Sequence, residues 1–186
     1  MKATKQLIQE HDSVLIMLSI LKNITDRLTK GGQVNPLHLE GIIVFLKVFV
    51  DQSHHGKEEK LLFPLLEKKG IANNGGPIGV MLSEHIQGRL FIKGFSDATD
   101  KYRKGNTNAI SEIVKNANGY IELLQQHIFK ENNILFKMAD SHLTEIEDEI
   151  LNRKFTELDE TEIGKIKHDE LYGILNELKH LYLPNN

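Results

Sequence analysis

Histidine and glutamate side chains interrupt the apolar stripes of the helices that this sequence predicts. Two segments carry a His-x-x-x-Glu pair, His54 with Glu58 and His127 with Glu131. Residues four apart lie one above the other on a helix, so both members of a pair point to the same side. The other residues on that side are apolar, so both pairs face the predicted core.

Two further segments carry a single histidine in the same situation. His11 lies between Leu7 and Val14 on one stripe, and His85 follows Met81 on another. A single histidine of this kind is usually a surface or packing residue. Four of them on four stripes, two with a paired glutamate, instead predict one shared polar site inside a helix bundle.

Turn and capping residues divide the chain into four long helices and two shorter ones. The four long helices are predicted to cover about residues 4–30, 36–69, 77–104 and 107–140. A fifth, shorter helix is predicted to begin with a capping box of Thr144 and Glu147. A last helix is predicted to begin at Asp159 with Glu162 and to end before Pro184. The prediction is an all-α, up-down four-helix bundle (about 4–140) with a C-terminal helical extension (about 144–183), in a single domain of residues 1–186.

Two carboxylates inside a bundle require compensation, because burying an unpaired carboxylate costs several kcal/mol. No lysine or arginine is expected to point inward at positions that would pair with both. Metal cations would compensate them, with carboxylates bridging two ions and neutral imidazoles completing each coordination sphere. The chain has no cysteine, and a ligand set of imidazole and carboxylate suits iron, manganese or zinc. Vacant coordination positions would accept an external ligand.

Composition disfavours several other function classes. The net charge of −3 offers no basic surplus for nucleic-acid binding. The most apolar stretch, residues 41–50, is interrupted by Lys47 and is far shorter than the roughly 20 residues of a membrane span. The first residues lack the apolar core of a signal peptide. We therefore expect a cytoplasmic protein that binds neither nucleic acid nor membrane.

Four short motifs together resemble the hemerythrin-like HHE cation-binding family over about residues 5–142. The motifs are EHD at 10–12, HHGKEEKLLFP at 54–64, EHIQGR at 84–89 and HIFKENNILF at 127–136. The resemblance implies two iron ions in an oxo- or hydroxo-bridged (Fe–O–Fe) centre. It also implies that Glu58 and Glu131 are the bridging carboxylates. The terminal imidazole ligands that it implies are His11, His54, His85 and His127.

The sequence departs from the oxygen-carrying members of that family at two positions. Those proteins have a second histidine one turn after the third-helix histidine, where this chain has Arg89. Their last motif ends in aspartate five residues after its histidine, whereas Glu131 follows His127 by four. Four histidines instead of five imply a more open site, similar to that of di-iron proteins linked to nitric oxide handling and iron–sulfur centre repair.

The pair His55 and Glu59 repeats the His-x-x-x-Glu spacing one residue out of phase. A shift of one residue turns a side chain about 100° around an α-helix, so we favour His54 and Glu58 as the inward pair. For Glu59, and likewise for Glu10 and Glu84, we expect solvated positions or a role in orienting imidazoles.

The favoured function is a non-haem di-iron protein that binds or reduces nitric oxide or dioxygen, or that donates iron during stress repair. The alternatives are a non-catalytic module for metal storage or for metal or oxygen sensing, and a helical interaction protein. The sequence assigns no catalytic residue, and it leaves enzymatic activity and the oligomeric state open.

Overall fold

In a computed structural model the described residues, 1–162 and 165–183, form an all-α fold. The helices are α1 (Lys2–Thr29), α2 (36–68), α3 (Pro77–Arg103), α4 (107–142), α5 (Glu145–Glu162) and α6 (Lys165–Tyr182). The predicted fold class, a helix bundle with additional C-terminal helices, is confirmed. Within the described residues, no helix combines the length and the hydropathy that a membrane span requires.

The predicted turn and capping residues act as expected between the long helices. The Asn35 side chain accepts a hydrogen bond from the Leu37 N–H at 3.0 Å, and Pro36 occupies the first turn of α2. Gly31 and Gly105 follow α1 and α3 with φ of +80° and +90°, a region that favours glycine. The boundaries therefore follow from local chemistry.

The C-terminal extension matches one capping prediction and contradicts another. Thr144 Oγ1 accepts from the Glu147 N–H at 3.3 Å, while Glu147 Oε2 accepts from the Thr144 N–H at 2.9 Å, which is a capping box. Asp159, by contrast, does not begin a helix. It lies inside α5, and its carboxylate accepts a hydrogen bond from Ser53 Oγ of the bundle. Pro184 lies outside the described residues.

Two of the bundle helices widen into π-helix. Within α2 the π-helical parts are Leu46–His55 and Glu58–Leu62, and within α4 the π-helical part is Glu131–Leu135. A π-turn bonds each N–H to a carbonyl five residues earlier and so holds more residues than an α-turn. These parts begin or end at His55, Glu58 and Glu131, so the widening coincides with the predicted polar layer.

That layer separates two apolar clusters of the core. The upper cluster includes Val14 and Val50, and the lower cluster includes Leu7 and Leu62. His11 therefore lies between the two clusters along α1, and residues 54–58 lie between them along α2. Helix α6 packs onto the upper cluster through Leu171, Leu175 and Leu178, and α5 packs onto the lower one through Leu151 and Phe155.

Candidate metal centre

The six residues predicted as metal ligands meet in the polar layer between the two apolar clusters. All six expose 1% or less of their surface. They are His11, His54, Glu58, His85, His127 and Glu131. Helices α1 to α4 each contribute at least one of them. The arrangement predicted from the apolar stripes is therefore present as a buried cluster.

Possible ligand atoms in this layer form two groups of four, within each of which all atoms lie within 4.8 Å of one another. One group is His11, His54, Glu58 and Glu131, and the other is His55, Glu58, His85 and His127. Glu58 belongs to both groups. Glu131 Oε2 also reaches both, at 3.2 Å from His11 Nε2 and 3.3 Å from His127 Nε2. Ligand atoms about 2 Å from a common ion have separations of this order.

Several buried polar atoms in the layer lack a hydrogen bond. They are both carboxylate oxygens of Glu58 and of Glu131, and Nε2 of His11, His54 and His55. Such atoms are rare in folded proteins because each loses its hydration without compensation. In addition, His85 Nε2 lies 3.2 Å from His127 Nε2, so two acceptors face each other if both rings carry their proton on Nδ1. Cations between these atoms would satisfy all of them, so the residues fit a two-metal centre.

On its outer side, every imidazole of the cluster meets an oxygen atom. The Nδ1 contacts are His11 with Asn132 Oδ1 at 2.8 Å, His54 with Glu10 Oε2 at 2.9 Å, His55 with Asp51 Oδ1 at 3.4 Å, His85 with Glu59 Oε1 at 2.7 Å, and His127 with Glu84 Oε2 at 3.0 Å. A proton on Nδ1 satisfies each of these oxygens and leaves the Nε2 lone pair directed inward, as metal ligation requires. The predicted orienting role fits Glu10, Glu59 and Glu84.

The expectation that His55 turns away from the core is wrong. Its side chain is buried, with 4% of the residue exposed, and its ring stacks on that of His85 with centroids 3.7 Å apart. The 100° rotation assumed for an α-helix does not apply at the end of the π-helical part Leu46–His55. In this wider turn His54 and His55 both reach the layer, one toward each group of ligand atoms.

Arg89 lies in the outer shell of the cluster. Its guanidinium contacts Asp51 Oδ1 and Glu59 Oε1, both at 2.7 Å, and these two carboxylates face His55 and His85. Arg89, at the position of the fifth histidine of oxygen carriers, thus binds the two carboxylates that contact His55 and His85. Because His55 supplies a fifth imidazole from α2, the residue count no longer supports the more open site expected from four histidines.

The electrostatics of the layer favour the neutral form of three imidazoles, those of His54, His55 and His85. Burial, together with the nearby His11, lowers the pKa of His54 well below its usual range, and burial together with His85 does the same to the pKa of His55. The pKa of His85 is also lowered, chiefly by burial. Metal ligation requires the neutral ring, so no proton has to leave these imidazoles before a metal binds.

The two inward carboxylates respond to burial in opposite ways. Burial and the charge of Glu131 raise the pKa of Glu58 well above its usual range. Burial also acts to raise the pKa of Glu131, but His127 and His11 outweigh it, and the pKa is lowered. Without a metal the pair therefore favours one proton, on Glu58. Two cations would replace that proton and leave both groups as carboxylates.

Sequence reasoning missed a buried lysine beside the layer. Lys57 exposes only 1% of its surface, and its Nζ lies 2.6 Å from Glu10 Oε1 and 2.8 Å from Asp159 Oδ2. A buried lysine was not foreseen, but the expectation that no lysine or arginine pairs with both inward carboxylates is not contradicted, because Lys57 contacts the outer carboxylates of Glu10 and Asp159. The missed signal was that Lys57 directly precedes Glu58, and it lies between the two π-helical parts of α2.

A cavity of about 450 Å³ opens between α2 and α3 and extends to the cluster. His55 and Tyr120 form part of its wall, together with Gly88 and Arg89. A Cβ atom on Gly88 would lie 3.4 Å from the Tyr120 ring, which is an ordinary van der Waals contact, so this glycine lines the cavity without being required for the packing of α3 on α4. A small molecule in the cavity would reach the layer beside His55.

Curated relatives of this chain include several named as the iron–sulfur cluster repair protein YtfE. The protein from Enterobacter sp. (strain 638) is 34% identical over 97 residues, which cover 47% of this chain and 40% of the relative. The protein from Escherichia coli O81 is 31% identical over 112 residues, which cover 54% and 47% of the two chains. The protein from Pectobacterium atrosepticum is 33% identical over 88 residues, covering 46% and 40%.

The chain thus spans less than half the length of the first of these relatives. No solved structure matches it significantly. A family model described as the hemerythrin HHE cation-binding domain matches residues 2–139, which include α1 to α3, nearly all of α4 and every member of the buried cluster. The chain therefore belongs to the hemerythrin HHE cation-binding domain family.

Proposed function

We propose that this protein is a non-haem di-iron protein that binds nitric oxide or dioxygen, or that supplies iron for the repair of iron–sulfur clusters under oxidative or nitrosative stress. The observation that carries the proposal is the pair of four-residue groups that share Glu58. The names of the relatives from Enterobacter and Escherichia coli favour the repair branch of this function.

The proposed ligands are the six residues expected from the sequence together with His55. Glu58 and Glu131 would bridge the two ions, because each contacts imidazoles of both groups. His11 and His54 would complete one coordination sphere, and His55, His85 and His127 the other. Imidazole and carboxylate ligands suit iron, and manganese and zinc are the competing metals.

Bound iron would supply a redox-active centre with affinity for diatomic ligands. The chain itself holds five imidazoles by their Nδ1 atoms, excludes bulk water from the layer and provides the cavity that ends at His55. The orienting carboxylate of Glu84 favours its anionic form. Although burial acts to raise the pKa of Glu84, hydrogen bonds to His127 and Lys130 outweigh it and lower that pKa. Anionic partners increase the donor strength of the imidazoles.

A nitric oxide titration of the protein, loaded anaerobically with iron(II), tests this function. We expect a new visible absorption and an electron paramagnetic resonance signal that grow in proportion to the bound iron. His54→Gln should reduce bound iron and signal together. The matched control is His142→Gln on the exposed end of α4, which should behave like the unaltered protein. Iron binding without any response to nitric oxide or dioxygen would favour the metal-storage alternative.

A further inference from the structure

A buried ionic network joins the C-terminal extension to one imidazole of the proposed metal centre. Lys57 Nζ lies 2.6 Å from Glu10 Oε1 and 2.8 Å from Asp159 Oδ2, and it donates to Ser53 Oγ at 3.0 Å. Ser53 Oγ in turn donates to Asp159 Oδ1 at 2.5 Å. All three protons of the ammonium group thus have an acceptor.

The network ends on His54. Glu10 Oε2 faces His54 Nδ1 at 2.9 Å, while Oε1 of the same carboxylate faces Lys57. The charge of Glu10 is therefore divided between an ammonium ion and an imidazole. Among the outer partners of the five imidazoles, Glu10 is the one that this buried lysine contacts.

Asp159 belongs to α5, which lies beyond the residues that match the family model. The helix is held against the bundle at both ends. Near its start, Asp148 accepts hydrogen bonds from the backbone N–H groups of Lys2 and Ala3, at 2.7 and 3.0 Å. Near its end, the Asp159 side chain is 22% exposed, whereas that of Lys57 is 1% exposed. A residue outside the matched domain thus provides one of the two carboxylates that contact the buried Lys57.

From this geometry we infer that Asp159 is a positioning residue for the metal centre and acts on His54 through Lys57 and Glu10. The inference rests on the proposed function. Asp159 shares the positive charge of Lys57, so Glu10 keeps enough negative charge to polarise the His54 Nδ1–H bond. This polarisation strengthens the His54 Nε2 atom as a donor to a cation.

The mechanism predicts opposite effects for two substitutions. In Asp159→Asn the whole charge of Lys57 acts on Glu10, so the hydrogen bond from His54 to Glu10 weakens. In Lys57→Met the charge of Glu10 is no longer shared with an ammonium ion, so that hydrogen bond strengthens. A purely structural network would instead give the same loss of order in both variants.

The test uses the full chain loaded with zinc, which is diamagnetic, and follows the imidazole N–H proton resonances by nuclear magnetic resonance. Relative to the unaltered protein, Asp159→Asn should move the His54 Nδ1–H resonance upfield and Lys57→Met should move it downfield. Asp159→Glu retains the negative charge, so its His54 Nδ1–H resonance should lie at the position found in the unaltered protein. The resonances of His85 and His127 should not move in any variant.

Asp148→Asn is the matched control, because it weakens the attachment of α5 about 16 Å away along the helix without contacting the network. Zinc competition should show a loss of affinity of about three- to tenfold for Asp159→Asn, below the 10- to 100-fold typical of a direct partner of a ligand. Asp148→Asn should change the affinity by less than about twofold.

The inference is overturned if the two substitutions shift His54 in the same direction or leave it unmoved, or if Asp148→Asn reproduces the effect of Asp159→Asn. If the unaltered chain takes up no zinc or iron at all, the proposed function fails and the inference fails with it. Normal metal uptake without these shifts would contradict the inference alone.

Discussion

Each histidine of the buried layer has two nitrogen atoms in different surroundings, and this difference determines what the layer can hold. The Nδ1 atoms face oxygens of outer residues, while the Nε2 atoms face Glu58, Glu131 or one another. A layer built only for packing would pair its polar atoms internally. Here the unpaired atoms converge from three helices, α1, α2 and α4, which is the pattern expected of ligands around cations.

In the absence of metal, Glu58 should destabilise the fold at neutral pH. The pKa of Glu58 is raised in the folded protein above its value near 4.5 in the unfolded chain. The protonated form therefore stabilises the fold fully below about pH 4.5, and this stabilisation is lost as the pH rises through the pKa of the folded protein. We expect Glu58→Met to raise the free energy of unfolding of the metal-free protein at neutral pH by about 1–3 kcal/mol.

Urea unfolding of the metal-free protein at several pH values provides that measurement. The increase in the free energy of unfolding for Glu58→Met should become smaller toward acidic pH. The same variant should fail to retain a pair of metal ions. A variant that is less stable than the unaltered metal-free protein at neutral pH would show that Glu58 is paired in a manner that this account omits.

Most members of the layer were predictable from the sequence, because six of them replace aliphatic side chains on regular stripes, namely His11, His54, Glu58, His85, His127 and Glu131. His55 was not, since its position depends on a π-helical turn that no spacing rule anticipates. Lys57 was also missed. Its ammonium group is compensated by Asp159, which lies about 100 residues away and comes near only through the packing of α5.

At the level of the helices, the widened turns in α2 and α4 allow one helix to present several ligands in the same layer. Pro64 lies just after the π-helical part Glu58–Leu62 and lacks an N–H group, so one regular α-helical hydrogen bond is missing there. Single π-turns are frequent at functional sites. In this chain they let His54 and His55 serve the two groups of ligand atoms from adjacent positions.

The capping box of α5 gives a prediction with a defined pH range. Lys69 and then Thr144 lower the pKa of Glu147 to about 2, so its stabilising effect is present above about 4.5 and is lost as pH falls toward about 2. Glutamine can still close a capping box. Glu147→Gln should therefore lower the free energy of unfolding at neutral pH, and the deficit should shrink between pH 5 and pH 3.

The control for this prediction is Glu160→Gln, which removes an exposed acidic residue of the same helix. It should show no comparable deficit at neutral pH. A deficit for Glu147→Gln that is independent of pH would mean that the charge interaction with Lys69 contributes nothing to the attachment of α5.

Considered as a whole, the molecule consists of a four-helix bundle with two added helices, each of which covers one apolar cluster. Helix periodicity, glycines and capping residues predicted the all-α fold and most helix boundaries. They did not predict where α5 ends, because Asp159 and Glu162 imitate a helix start within a polar helical face. Asp159 instead lies within α5, where its carboxylate contacts Ser53 and Lys57 of α2, and this contact is a property of the tertiary structure.

Whether the buried layer holds two metal ions can be measured as the number of irons per chain after anaerobic loading. Elemental analysis of the desalted protein should give two irons per chain for the unaltered protein and for His142→Gln, and fewer than one for Glu58→Gln, since Glu58 belongs to both groups of ligand atoms. One iron or none in the unaltered protein, or two irons retained by Glu58→Gln, would show that the layer is not a two-metal site built on Glu58.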